Sequence, residues 1–235
     1  MPPRFFRFVI SLVVFCLPLA ARAACEGEDL SRGWTDATRA ELERRAAAVP
    51  YPEGRFWEVT RDGASSVLFG TIHLAEDDVA TPPPGLVSRI ESAEEVLVEV
   101  TIAEEKRLMR GMILNPARIM IDSGPPLSDV IAPETWAQIT ALTEPYGIGP
   151  DAAERIRPWY LAMTLNTPAC MLSYRATGAQ ILDRRIEAMA ERLDIPVAGL
   201  ETPEELFALF DAVPFDAQVE MLTMSIPTAT RAEDY

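Results

Sequence analysis

Polar and apolar positions along the chain fall into short segments whose period changes at prolines and glycines. Residues 34–48, WTDATRAELERRAAA, are rich in helix formers and stop before Pro50, which predicts an N-terminal helix. RFWEVT then alternates, breaks at Arg61-Asp62-Gly63, and resumes as SSVLFGTI over 65–72. That pattern predicts two strands joined by a turn, the second apolar enough to be central. Beyond the proline-rich turn at 81–85 come a short amphipathic helix, 86–93, and the strand EVLVEV, 95–100. A strand, a helical crossover and another strand predict a parallel pair with a right-handed connection.

The middle of the chain reads as helical pieces cut at Gly111, Asn115-Pro116, Gly124-Pro125-Pro126 and 145–150. Pro133 suits the first turn of a helix running to about residue 143, and another helix is expected over 152–174 with a bend near Pro158. Ile181, Ile186, Met189 and Leu193 fall at helical spacings, and 196–200 reads as a short buried strand. Thr202 can cap the next helix, with Pro203 in its first turn and Glu205 as the capping-box carboxylate. The class expected is α/β: a central, mostly parallel or mixed sheet with an inserted helical region, in either a whole or an incomplete domain. Its expected divisions are an N-terminal helical segment at 24–50, an α/β domain at 51–225 and a tail at 226–235.

Composition narrows the partners. The chain has 235 residues, 49% of them apolar, with 21 basic against 36 acidic side chains and a net charge of -15. Such a surplus of acid leaves nothing to release counterions from a nucleic acid and disfavours anionic membrane surfaces. Arg4 and Arg7 precede an apolar run over 8–20 and the small-residue pattern Ala21-Arg22-Ala23. This predicts a signal peptide, residues 1–23, and a periplasmic or secreted protein with no transmembrane segment after cleavage. Arg22 stands where a lipid-anchoring signal wants an aliphatic residue. Cys16 leaves with the signal, so Cys25 and Cys170 either form one disulfide or stay separate as small apolar side chains.

His73 is the only histidine, placed immediately beyond the apolar strand with Gly70 three residues earlier, where a glycine permits close backbone approach. In a mostly parallel sheet, reacting groups collect at the carboxyl ends of strands. Glu99, near the end of VLVEV, and Glu201, just past PVAGL, are expected at that same edge. One imidazole and two carboxylates from three strand ends would suit a divalent ion carrying a nucleophilic water. The imidazole must be neutral to bind, so acid should release the metal. The competing reading is that both glutamates are solvated, with Glu201 supporting the helix that follows. Glu76, Asp77 and Asp78, just after His73, read as a solvated acidic loop, with a role as further ligands the alternative. HExxH, G-x-S-x-G, a P-loop and a Rossmann glycine fingerprint are all absent.

Four features in order resemble the TraB/PrgY/GumN group, which includes the Tiki-type metal-dependent proteases and many exported bacterial proteins. They are Gly70-Thr71-Ile72-His73 after a hydrophobic strand, EEVLVEV, RPWYLAMTL from Arg157, and IPVAGLETPEEL from Ile195. The resemblance covers about residues 56–222. It implies an α/β domain in which His73 and Glu99 belong to a site for manganese, cobalt or zinc that hydrolyses a peptide or protein substrate. Arg157 would orient an acidic group or a substrate carboxylate, or else cover a helix surface. The resemblance also implies a second G-x-x-H, and the chain has no second histidine. Gln180 stands where the group often has aspartate, and Leu206 where it often has glutamine. Three readings follow: a metal-dependent peptidase, a non-catalytic envelope binding protein, and a truncated inactive member, with a homodimer as one way to complete the sheet.

Overall fold

The computed structural model describes residues 27–234. The expected signal peptide and Cys25, and with Cys25 the expected disulfide, lie outside the described residues. After a 3-10 turn, Leu30–Gly33, the chain forms α1, Asp36–Ala47, capped by the Thr35 hydroxyl. The strands β1, Phe56–Arg61, and β2, Ala64–Phe69, then pair antiparallel from Phe56↔Phe69 to Arg61↔Ala64. Their two-residue turn has Asp62 at φ 51° and Gly63 at φ 84°. Positive φ at both positions matches the right-handed twist of the flanking strands, which is why Asp-Gly is used there.

Two short helices follow, α2, Asp77–Ala80, and α3, Pro84–Glu91, then β3, Val96–Val98, and α4, Ile102–Leu114. The helical middle comprises α5, Leu127–Val130, α6, Pro133–Thr143, α7, Pro150–Ala153, α8, Pro158–Leu165, and α9, Met171–Thr177. The chain continues through α10, Leu182–Arg192, β4, Val197–Gly199, α11, Pro203–Asp211, and α12, Phe215–Ala229. The single helix expected over 152–174 is divided into α7, α8 and α9, because Pro158 and Pro168 cannot continue a hydrogen-bonded turn.

The molecule is mixed α/β and mostly helical, and its two sheets have two strands each. The expected pairing of the second strand with EVLVEV does not form. β2 pairs with β1, while β3 pairs with β4 in parallel, Val96↔Val197 to Val98↔Gly199. Nor is β2 central: Leu68 is exposed and Val67 and Phe69 are only half-buried, so its apolar run serves one face of a hairpin. No single central sheet is formed among the described residues.

Two apolar clusters hold these elements. The larger joins Leu127, Ile139, Leu161, Leu165, Leu222 and Ile226, and so packs α5, α6, α8 and α12 together. The smaller joins Leu86 and Ile90 of α3 to Leu182, Ile186 and Ala190 of α10, with Phe69, Val96 and Val197 against them. Spacings of four on α3 and α10 put those residues on one face of each helix, and that face covers the β3–β4 pair. Leu97 and Leu200 remain exposed on the other side. The division expected at residue 225 falls inside α12, and Ile226, Ala229 and Ala232 are buried. Among the described residues no helix is long and apolar enough to cross a membrane.

Candidate functional site

Because β3 and β4 run parallel, the chain leaves both strands on the same side of the molecule. Each exit has the same local design. Thr101 and Thr202 accept a hydrogen bond from the backbone N–H three residues on, and Glu104 and Glu205 reach back to the threonine N–H at 3.0 and 2.9 Å. Two orphan donors are thereby satisfied at each helix start. These bonds, the backbone one first and the hydroxyl second, hold the Glu104 and Glu205 carboxyls below the usual carboxylate range. A Cβ on Gly199 would lie 2.5 Å from Glu104 Oε2, so glycine there leaves room for the capping carboxylate of the neighbouring exit.

Glu99 directly follows β3, and His73 lies in the irregular stretch between β2 and α2. Two bonds fix that stretch. Gly70 donates its N–H to Arg55 O at 2.8 Å, closing the hairpin, and the Thr71 hydroxyl donates to Asp183 Oδ1 at 3.2 Å. His73 Nε2 is then 3.3 Å from Glu99 Oε2 and 4.0 Å from Asp183 Oδ2. The His73 and Glu99 side chains are 58% and 63% exposed, while Asp183 is only 11% exposed. Asp183 Oδ2 is buried without a hydrogen-bond partner. No set of three or more His, Cys, Asp or Glu side chains among the described residues stands ready-made around a metal position.

Behind the pair, α10 presents a charged network to the β3–α4 turn. Glu187 Oε1 and Oε2 accept the Ile102 N–H at 2.8 and 2.9 Å, and Arg184 Nη1 donates to Glu187 at 3.1 Å and to Val100 O at 2.8 Å. Arg184 Nη2 also meets Glu105 at 2.6 Å. The residues on either side of Thr101 are therefore anchored to α10, which fixes the backbone that carries Glu99.

The other expected site residues are placed differently. Glu201 donates its backbone N–H to Glu99 O at 3.0 Å, but its side chain is exposed, and the carboxylates within 4.0 Å of His73 are those of Glu99 and Asp183. Gly70 has no close-approach role: a Cβ there would meet Arg55 Cβ at an ordinary 3.6 Å. Arg157 binds Asp211 Oδ1 at 2.7 Å and Met120 O at 3.3 Å, tying α8 to α11 beside the Trp159–Phe210 stack. It covers a helix surface and touches none of the His73 group. Asp183 is the residue that sequence reasoning missed. Its signal is an acid pair at i and i+4, Asp183 and Glu187, adjoining the apolar stripe Leu182, Ile186 and Ala190.

The TraB/PrgY/gumN family model matches residues 55–235, more than three quarters of the chain. The chain belongs to the TraB/PrgY/gumN family. No curated protein and no solved structure matches it significantly. Membership spans both sheets, α10 and α12, so the His73 stretch, the β3 exit and the β4 exit all lie within the family region.

Proposed function

We propose that His73 and Glu99 form a divalent-metal site with which this TraB/PrgY/gumN protein hydrolyses a peptide or protein substrate outside the cytoplasm. The observation that carries the reading is the 3.3 Å separation of Nε2 and Oε2 in a pair that is not hydrogen-bonded. Two donors bonded to one small ion at about 2.0–2.1 Å with a tetrahedral angle lie roughly 3.3–3.4 Å apart. A charge-assisted hydrogen bond would draw the same atoms to about 2.7–2.9 Å. The orphaned, buried Asp183 Oδ2 beside them also fits a position of positive charge. Export is supported by the basic, then apolar, then small-residue pattern over residues 1–23.

In this reading the chain's own residues have separate tasks. His73 presents a ring nitrogen from an exposed stretch, and Glu99 supplies a carboxylate oxygen from a strand exit held by Arg184, Glu187 and Thr101. An ion bound there would supply a water of lowered pKa and polarise a carbonyl. One imidazole with carboxylate oxygens suits manganese or cobalt as well as zinc.

The test is calorimetric titration of metal-depleted protein with Mn²⁺, Co²⁺ and Zn²⁺. The wild type should bind one ion, and His73→Ala and Glu99→Gln should each weaken that binding at least tenfold. A wild-type protein that takes up none of the three, or variants that bind as wild type does, would overturn the assignment. Mass spectrometry of a peptide mixture incubated with loaded and metal-free protein then separates hydrolysis from binding alone. Cleavage that needs the ion supports the peptidase, and its absence leaves a metal-binding envelope protein.

A further inference from the structure

Asp183 is an acid that its surroundings leave half satisfied. It lies in the first turn of α10 between buried Leu182 and the Arg184 network, and the residue as a whole, backbone included, is 8% exposed. A buried carboxylate is normally retained with both oxygens hydrogen-bonded or paired, because the desolvation cost is otherwise uncompensated. Here Oδ1 accepts the Thr71 hydroxyl and Oδ2 has no hydrogen-bond partner. The helix N-terminus does not account for it, since neither oxygen accepts a backbone N–H of α10. His73 Nε2 stands 4.0 Å from Oδ2, beyond hydrogen-bond distance.

We infer that Asp183 Oδ2 is a third donor to the ion held by His73 and Glu99, with Thr71 as the positioning residue that fixes the carboxylate through Oδ1. The inference rests on the metal-site reading above and extends it. The separation of 4.0 Å exceeds the ligand-to-ligand spacing of about 3.4 Å by roughly half an ångström. His73 stands on an irregular stretch with its side chain 58% exposed, and the assignment requires that ring to turn toward Asp183 on binding the ion. The set becomes one nitrogen and two carboxylate oxygens from three different elements, which leaves further positions for water and substrate. Thr71, two residues before His73, does for this carboxylate what an outer-shell partner does for a ligand: it fixes which oxygen faces inward.

The experiment compares Mn²⁺ binding and thermal melting of wild type, Asp183→Asn and Thr71→Val, each checked for native circular dichroism. Asp183→Asn should weaken Mn²⁺ binding by about a hundredfold and Thr71→Val by about tenfold. Without metal, Asp183→Asn should melt no lower than wild type, because Oδ2 has no hydrogen bond to lose, and added Mn²⁺ should no longer raise its melting temperature. Unchanged affinity in either variant overturns the assignment. So does an Asp183→Asn protein that melts lower without metal, which would mark the acid as a helix-terminus group. A wild type that binds no Mn²⁺, Co²⁺ or Zn²⁺ removes the His73–Glu99 site itself, an outcome distinct from a wild type that binds while Asp183→Asn binds equally.

Discussion

Glu187, at 2% exposure, shows how much one enclosed acid can organise. Its carboxylate takes the first free N–H of α4 and the guanidinium of Arg184 together, and so joins α10 to the turn behind Glu99. Glu187→Gln should cost about 1.5–3 kcal/mol, the range for hydrogen bonds to a charged group, measured by urea unfolding. Its effect should reach metal affinity too, since the turn it holds carries Glu99. Residue by residue, the sequence exposed His73 and Glu99 because each follows an apolar strand-like run. It grouped Glu201 with them because register cannot be read from the sequence. One step beyond Val98↔Gly199 the register aligns Glu99 with Leu200, and a second step aligns Val100 with Glu201. Glu99 stands one residue past β3 and Glu201 two past β4, and side chains alternate faces along a strand, so a place at the same sheet edge did not mean the same face. Asp183 was hidden for another reason: a first-turn aspartate is what any helix start prefers, and only the burial of its oxygen sets it apart.

At the scale of elements, the two strand exits are the most regular feature of the chain. Replacing either capping threonine by alanine should cost about 1 kcal/mol, seen as a lowered denaturant midpoint with unchanged slope. The acid limb of stability should respond as well. Glu104 and Glu205 have depressed carboxyls in the folded state, so each contributes stability that is present above the ordinary value of 4.5 and is lost as pH falls through the lower folded value. Thr101→Ala and Thr202→Ala should therefore flatten the fall in stability below pH 4.5, recorded as midpoint against pH. The Thr202 box was legible because Pro203 and Glu205 stand at fixed offsets from it. The equivalent box at Thr101 was obscured by the apolar alternation of EVLVEV, which reads as strand up to its edge.

For the molecule as a whole, stability is concentrated where α8 and α12 cross. Leu161, Leu165 and Leu222 are almost fully buried there. Leu222→Ala should cost about 2.7–5 kcal/mol, the range for leucine truncations that leave a cavity, while leaving metal affinity of the folded protein unchanged. Helices and hairpin were readable because their signals are local: a capping threonine, an Asp-Gly turn, apolar residues four apart. Strand partnership is not local, and nothing in SSVLFGTI states that its neighbour is the strand before it and not the strand after. The end of α12 was concealed by Pro227, which usually stops a helix. Here the helix continues past it, with Thr230 N–H reaching Ile226 O, because the buried Ile226 and Ala229 hold the last turn against the core. The hairpin before His73 has a weaker hold: Phe69 against the smaller cluster, and a 2.7 Å pair between Glu58 and Arg89 whose side chains are nearly half open to water. A water-exposed pair of this kind contributes little to stability and weakens further as salt is added. Raising sodium chloride should therefore loosen the imidazole's support before it disturbs the α8–α12 crossing, and the proposed metal binding should weaken with salt at concentrations that leave the unfolding midpoint unchanged.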